Sequence, residues 1–188
     1  MTLNYKLRFL DYWHLSSGLS AGAKLDSSVV KDENIIPYAP GKTIKGLVRE
    51  MALELKLDCA FIDSCFGTTS DKDDKCYKEK RELTSGKCYF SNATLDDATK
   101  NEIVSNKLQD NLYDVIASTK IEDGIAVDDS LREIEVVIPI TLQGKILDIP
   151  LQDDYKKLQK ALKMIKRMGL NRNRGLGRCE FKIVGEQK

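Results

Sequence analysis

The feature that most constrains this fold is the order in which strand and helix patterns follow each other along the chain. Strand patterns cover Leu3–Leu10, Gly86–Thr94, Ile134–Leu142 and Cys179–Val184. Apolar residues recur at helical spacing over Lys42–Lys56 and again in the segment that follows Asp153 and Asp154. The order strand, helix, strand, strand, helix, strand predicts an α+β fold of the ferredoxin-like type (βαββαβ), an arrangement that RNA-recognition motifs (RRMs) share.

The first helix has a distinctive entry, Pro40-Gly41, which fits a turn before the helix begins. Lys42, Lys45 and Arg49 follow at spacings of three and four and therefore share one exposed face. A helix N-terminus with three cations on one face suits a phosphate chain, and an ordinary solvated face is the alternative. Gly46 costs about 1 kcal/mol relative to alanine inside a helix, which we interpret as room for the close approach of another backbone.

Charge is distributed unevenly along the chain, although the net charge is only +1. The segment Tyr155–Arg178 contains nine Lys or Arg residues and no acidic residue. The remaining 21 basic and 29 acidic residues make the rest of the chain net negative. This segregation predicts that a polyanion binds one side of the protein.

The 188 residues predict a single domain over 1–188 that can bury a real core. No apolar run approaches the length needed to cross a bilayer, and the N-terminus lacks the apolar core of a signal peptide. We therefore expect a cytoplasmic protein with no membrane association. In that reducing compartment the five cysteines are not expected to form a disulfide framework.

Four cysteines cluster in a polar insertion over about 59–88 that has few apolar residues to pack. They are Cys59, Cys65, Cys76 and Cys88. Four thiolates can hold such a segment around a structural Zn²⁺ ion, which supplies folding energy that the core cannot. Reduced thiols without a metal, with Cys88 simply lying in a strand, are the alternative.

Asp123-Gly124 between short apolar runs predicts a hairpin within the polar region that precedes the third strand. The stacking aromatics of an RRM sheet are missing, because Tyr89 and Phe181 are too few and misplaced. RNA binding would then rely on phosphate and sugar contacts. His14 is the only histidine, and a histidine beside an aromatic pair is most often a hydrogen-bonded structural residue.

Three motifs, in the right order, resemble those of the RAMP superfamily, specifically the repeating backbone subunit of type III CRISPR effector complexes. The first is Pro40-Gly41-Lys42-Thr43-Ile44-Lys45-Gly46 with Arg49. An aspartate segment, Leu25–Asp32, precedes it, and a C-terminal glycine-rich loop, Gly169–Arg178, follows. The resemblance implies a modified RRM-like fold with a thumb-like hairpin over about 112–133 that reaches a neighbouring subunit and wedges into the guide–target duplex. It also favours a zinc knuckle at the four cysteines.

The resemblance implies partners as well: a CRISPR guide RNA, a target RNA, other CRISPR-associated subunits and further copies of this chain in a filament. The residues that it places against RNA are His14, Ser16, Ser17, Lys42, Lys45, Arg49, Lys120, Asn171, Arg172, Arg174 and Arg178.

The resemblance also implies a catalytic role for Asp26, in a metal-dependent endoribonuclease that uses Mg²⁺ or another divalent cation to cut target RNA. A loop or capping role for Asp26 is the plain alternative. Two other functions stay open: a non-catalytic RNA-binding scaffold whose partner does the cutting, and a guide-processing endoribonuclease. The second is disfavoured, because such enzymes usually act through histidine and mostly carry two such folds.

Overall fold

The computed structural model describes residues 1–18, 26–79 and 82–185, so Leu25 and the loop residues before it lie outside the description. The strands are β1 Leu3–Phe9, β2 Tyr89–Phe90, β3 Tyr113–Ser118, β4 Ile121–Glu122, β5 Ile125–Ala126, β6 Arg132–Val137, β7 Thr141–Leu147 and β8 Cys179–Val184. The α-helices are α1 Gly41–Glu54, α2 Cys59–Phe66, α3 Asp97–Ser105 and α4 Gln152–Met164.

Four strands form the main sheet in the order β2-β7-β1-β8, and every neighbouring pair is antiparallel. Leu7 of β1 lies opposite Leu142 of β7 on one side and Phe181 of β8 on the other. With one helix after β1 and another after β7, this is the ferredoxin-like strand order. The mixed α+β fold predicted from the element order is therefore confirmed.

One face of the sheet forms the core, because the apolar residues of β1 alternate strictly with polar ones. Leu3, Tyr5, Leu7 and Phe9 are all buried. They share a single apolar cluster with the inner residues of the two long helices, which are Ile44, Val48, Ala52, Leu158, Ala161 and Leu162. The helices α1 and α4 pack against each other over this face, and the polar side chains of β1 stay on the other face.

A hairpin arm, residues Tyr113–Val137, projects from this body. Its stem is the antiparallel pair of β3 and β6, and its tip is the pair of β4 and β5. Asp123 and Gly124 both have left-handed φ angles, of 50° and 80°, at the tip, as a tight hairpin turn requires. The turn predicted at this dipeptide is confirmed.

Three predicted boundaries are wrong. The third strand is not continuous: it breaks at Pro139 into β6, which belongs to the arm, and β7, which belongs to the main sheet. Asp153 and Asp154 lie in the first turn of α4 and do not cap it, since Leu151 is the N-cap residue. The second strand shrinks to Tyr89–Phe90, although Ala93 and Thr94 still form isolated bridges.

None of the helices within the described residues is long and apolar enough to cross a membrane.

Candidate RNA-binding surface

Four segments of the chain meet at His14, whose side chain is buried. Its Nδ1 is hydrogen-bonded to the main-chain oxygen of Glu135, and its Nε2 lies 3.0 Å from the hydroxyl of Ser27. The main-chain oxygen of His14 accepts from the amide of Leu170 at 2.9 Å. We call this meeting point of residues 12–18, 26–31, strand β6 and the glycine-rich loop the His14 junction.

His14 positions the junction, and its side chain is completely buried. This burial favours the structural role that was the plainer interpretation, and the RNA contact at His14 stays a prediction. A carbonyl oxygen only accepts hydrogen bonds, so Nδ1 must carry the proton that Glu135 accepts. In the tautomer with its proton only on Nδ1, Nε2 accepts from the hydroxyl of Ser27.

Glu135 fixes the aspartate segment to the arm from inside the junction. One carboxylate oxygen lies 2.7 Å from the ammonium of Lys31, and the other accepts from the amide of Val29 at 3.0 Å. The Lys31 ammonium also sits over the ring of Tyr113, 4.1 Å from its centroid. This network was not predicted from the sequence, in which its only signal was an acidic residue within a largely apolar strand.

Asp26 lies at the exposed rim of the junction, beside the stem of the arm. Its Oδ2 accepts from the amide of Glu133 at 2.8 Å, and its own amide donates to the oxygen of Glu133 at 2.9 Å. No described residue forms a hydrogen bond to Oδ1 of Asp26. These two bonds fix Asp26 to the main chain of Glu133 and leave one carboxylate oxygen for a ligand.

Asp32 shows what a fully structural aspartate looks like in the same segment. Its Oδ1 accepts from the amides of Asn34 and Ile36, both at 2.9 Å, and its Oδ2 lies 2.7 Å from the ammonium of Lys100. Burial opposes ionisation of this carboxyl, but the bonds from Lys100 and the two amides outweigh it, so the pKa of Asp32 lies below its ordinary value. Both oxygens of Asp32 are occupied, which distinguishes it from Asp26.

The predicted serines lie on the rim of the junction. Ser16 is exposed, and its hydroxyl accepts from the amide of Gly18 at 3.0 Å. Ser17 is half-buried, with its hydroxyl 3.0 Å from that of Ser28. Both positions leave the predicted RNA contacts possible.

The glycine-rich loop is fastened to the junction through its main chain. The amide of Gly177 donates to the oxygen of Tyr12 at 2.7 Å, and Asn171 adopts a left-handed φ of 55° and accepts from the amide of Arg174 at 2.7 Å. The side chains of Arg172 and Arg174 are exposed. Because the backbone carries the anchoring, the predicted arginines are left available on the surface.

A cleft of about 380 Å³ opens where this loop faces the base of the arm tip. Its lining residues are Ser118, Thr119, Lys120, Ser130, Arg132 and Arg174. The structure thus brings two predicted RNA-binding residues, Lys120 and Arg174, to one cleft. It adds Arg132, whose only sequence signal was a cation at the foot of the predicted hairpin.

Two predicted arginines are engaged by acidic residues. Arg178 forms a forked ion pair with Asp11, with nitrogen–oxygen separations of 3.2 and 3.3 Å. Arg49 lies 2.7 Å from the carboxylate of Asp74, whose side chain is only 7% exposed. The hydrogen bond from Arg49 lowers the pKa of Asp74. Arg49 therefore ties the insertion to α1, which leaves Lys42 and Lys45 as the accessible cations of that face.

The entry of α1 does not lie at the His14 junction. The amide of Gly41 donates to the side-chain oxygen of Asn92 at 2.9 Å, beside β2 at one edge of the sheet. The glycine-rich loop leads into β8 at the opposite edge. The close backbone approach predicted at Gly46 is wrong, since a side chain there would meet open space. It occurs at Gly41 instead, where a Cβ would strike the carbonyl oxygen of Phe90.

The four cysteines of the insertion are arranged as two pairs. Cys59 and Cys76 form a disulfide with a Cα–Cα separation of 5.4 Å, contrary to the expectation of reduced thiols. Cys65 and Cys88 are buried free thiols, and their mutual hydrogen bond together with burial raises the pKa of Cys65. The described residues contain no group of three or more cysteine, histidine or acidic side chains that could hold a metal ion. Zinc binding stays a prediction, and this geometry favours one disulfide and one pair of thiols over a four-thiolate zinc site.

We expect protein purified without a metal-binding tag and without reductant to show three free thiols, Cys65, Cys88 and Cys179, and a bridged Cys59–Cys76 peptide. Thiol titration under denaturing conditions, mass spectrometry of the unreduced digest and metal analysis on the same sample measure this. One equivalent of zinc, with none of the five cysteines in a disulfide, would instead establish the four-thiolate site.

Comparison with known proteins identifies the family to which this arrangement of motifs belongs. The sequence profile of the RAMP superfamily matches residues 6–180. The chain belongs to the RAMP superfamily. Comparison with curated protein sequences found no match.

Solved structures with this RAMP fold include chains from two cryo-electron microscopy structures of type III-B Cmr-beta. One structure is of the complex bound to cognate target RNA, and its chain superposes with a TM-score of 0.72 at 11% sequence identity, covering 98% of this chain and 97% of that one. The other is of the apo state, with a TM-score of 0.71 at 11% identity and coverage of 99% and 98%. At such low identity the likeness establishes the fold alone.

Proposed function

We propose that this RAMP protein is an RNA-binding subunit of a type III CRISPR effector complex that assembles along a guide RNA and cleaves the complementary target RNA. The observation that carries this proposal is the cleft lined by Lys120, Arg132 and Arg174, because Glu133, the residue after Arg132, binds the exposed carboxylate of Asp26. The superfamily match and the fold shared with chains of Cmr-beta support the assignment to a type III CRISPR complex.

The cleft suits a phosphate backbone in its chemistry. Arg132 and Arg174 supply positive charge, as does Lys120, which also forms an ion pair with Glu122 at the arm tip. The hydroxyls of Ser118, Thr119 and Ser130 supply neutral hydrogen bonds. Such contacts do not read base identity. This matches a subunit whose sequence specificity comes from base pairing between guide and target.

Asp26 is the candidate for the chemical step. Its carboxylate is anchored through one oxygen and leaves the other for the reacting strand. It can hold the ribose 2′-hydroxyl of the target in line with the adjacent phosphate, or take its proton as the 2′-oxygen attacks phosphorus. The attack forms a 2′,3′-cyclic phosphate and breaks the bond between phosphorus and the 5′-oxygen, which leaves with a proton from water. Among the described residues, Asp26 belongs to no group of three or more acidic, histidine or cysteine side chains that could hold a metal ion. A divalent cation here would be held by Asp26, water and RNA phosphates, and would neutralise charge on the phosphate.

The guide-processing alternative loses its main candidate residue. The only histidine of the chain is fully buried and bonded through both ring nitrogens. The scaffold alternative, in which a partner cuts the target, is separated from the proposal by the cleavage experiment on Asp26 described below.

We expect the combined replacement of Lys120, Arg132 and Arg174 by alanine to weaken RNA binding for all sequences and to reduce its salt dependence. Each phosphate contact with a single strand contributes about 0.7 to the slope of log affinity against log salt, so the slope should fall by about 2. Fluorescence anisotropy with a labelled single-stranded RNA of mixed sequence measures both quantities.

The matched control replaces Lys72, Lys78 and Lys107, three exposed lysines outside the cleft, and removes the same charge. If the control variant loses as much of the salt slope as the cleft variant, binding is a general effect of net charge. The cleft would then have no special role.

A further inference from the structure

The main sheet has one open face, which neither the motifs nor the cleft accounts for. The helices cover the other face, and strand alternation leaves polar side chains on this one. Its residues on the three longer strands are Asn4, Lys6, Arg8, Thr141, Gln143, Lys145, Glu180, Lys182 and Val184. Four are basic and only one, Glu180, is acidic. An open sheet face that is polar and basic is complementary to a negatively charged ligand and not to an apolar partner.

The register concentrates the positive charge at the centre of this face. Lys6 lies directly opposite Lys182 of β8, and Asn4 in the next exposed row lies opposite Lys145 of β7. Like charges facing each other across neighbouring strands destabilise a sheet unless an anion lies between them. Lys182 is partly neutralised by Glu180 at 3.0 Å, but no described residue forms an ion pair with Lys6 or Lys145. Asp96, whose carboxylate interacts electrostatically with Lys6, caps α3.

The same region is concave and rich in amides. A cavity of about 410 Å³ lies over the sheet and is lined by Asn4, Lys6, Asn92, Gln143 and Lys145 among others. Amide side chains donate and accept, as ribose hydroxyls and base edges require. Tyr89 adds a ring that is 60% exposed at the β2 edge, since Phe90 next to it points into the core. A base can stack on such a ring without regard to its identity.

The position of the face links elements that the fold otherwise keeps apart. At one edge, Arg8 and Glu180 lie one row from Cys179, where the glycine-rich loop enters β8. At the other edge, Asn92 lines the cavity and also binds the amide of Gly41 at the entry of α1. A line from the glycine-rich loop to the start of α1 therefore crosses the open face of the sheet.

We propose that a single strand of RNA crosses this open face between the glycine-rich loop and the start of α1, with phosphates held by Lys6, Lys145 and Lys182. This inference rests on the proposed RNA-binding function and adds a path for the strand. On this path one RNA strand can contact Lys42 and Lys45 near one edge of the sheet and Arg172 and Arg174 near the opposite edge.

The test is a variant in which Lys6, Lys145 and Lys182 are all replaced by alanine, compared with the Lys72, Lys78 and Lys107 control. Anisotropy titrations use the labelled single-stranded RNA of mixed sequence. Three lost phosphate contacts should lower the salt slope by about 2, while the control keeps the wild-type slope. Ultraviolet crosslinking to the same RNA, read by mass spectrometry, should identify the peptide that contains Tyr89.

The outcomes separate the two proposals. If wild-type protein binds no RNA, the proposed function fails first. If wild type binds but the sheet variant keeps the wild-type slope and Tyr89 does not crosslink, the strand does not cross this face and the inference is overturned. Loss of self-association in light scattering, with RNA binding unchanged, would also overturn it and would assign the face to an acidic surface of a second copy.

Discussion

Replacement of Asp26 by asparagine is expected to slow target cleavage by about a hundredfold or more while RNA affinity stays near wild type. Asparagine keeps a side-chain oxygen that can accept from the amide of Glu133, so the anchoring bond of 2.8 Å survives. It removes the negative charge that would hold a cation or take a proton. The measurement is cleavage of labelled target RNA by the assembled complex with divalent cation, alongside a binding titration.

Glu133→Gln is the matched control, because it removes one negative charge from the residue whose main chain binds Asp26. Asp32→Ala is unsuitable, since that carboxylate holds two amides and Lys100, and its loss would disturb the fold. Cleavage by the Asp26→Asn complex at the wild-type rate would make this subunit a scaffold and place the nuclease in a partner. Equal losses in both variants would point to a general charge effect.

Much of the fold was predictable because periodicity reports which side of an element is buried. β1, α1 and β8 each carry a clean period, and their predicted positions agree with the structure to within two residues. The apolar period of α4 was also visible, although its start was misplaced. The split at Pro139 was only partly visible. Proline indicated a bulge or an edge, but the apolar pattern on both sides of it is the same whether the strand bends or changes sheet.

The candidate site was less predictable because residue type does not reveal a tertiary partner. Arg49 has the spacing of a phosphate ligand, yet Asp74 of the insertion neutralises it. His14 lies beside predicted RNA contacts in sequence, yet its ring is buried and bonded to residues of two other segments, Ser27 and Glu135. Arg132 and the lysines of the open sheet face belong to no motif, and only the strand register brings those lysines together.

Two glycines of the C-terminal loop offer a test of the His14 junction in which backbone strain is matched. Gly169 and Gly175 have nearly the same left-handed φ, of 94° and 92°. An alanine Cβ at Gly169 would strike the main-chain oxygen of His14, whereas one at Gly175 would meet nothing. The strain of a side chain at such φ costs about 1–2 kcal/mol at either position. Any difference in stability between the Gly169→Ala and Gly175→Ala variants therefore measures the contact with His14.

We expect Gly175→Ala to lose only that strain, and Gly169→Ala to lose about 3 kcal/mol or more, since forcing an atom into packed structure typically adds 1–3 kcal/mol. Thermal unfolding should show the difference, at about 2–4 °C per kcal/mol for a chain of this length. Gly169→Ala should also weaken RNA binding, because it breaks the bond of 2.9 Å between Leu170 and His14 that anchors the loop carrying Arg172 and Arg174. If the two variants unfold at the same temperature and bind RNA equally, the loop does not depend on His14, and the junction is not what positions these arginines.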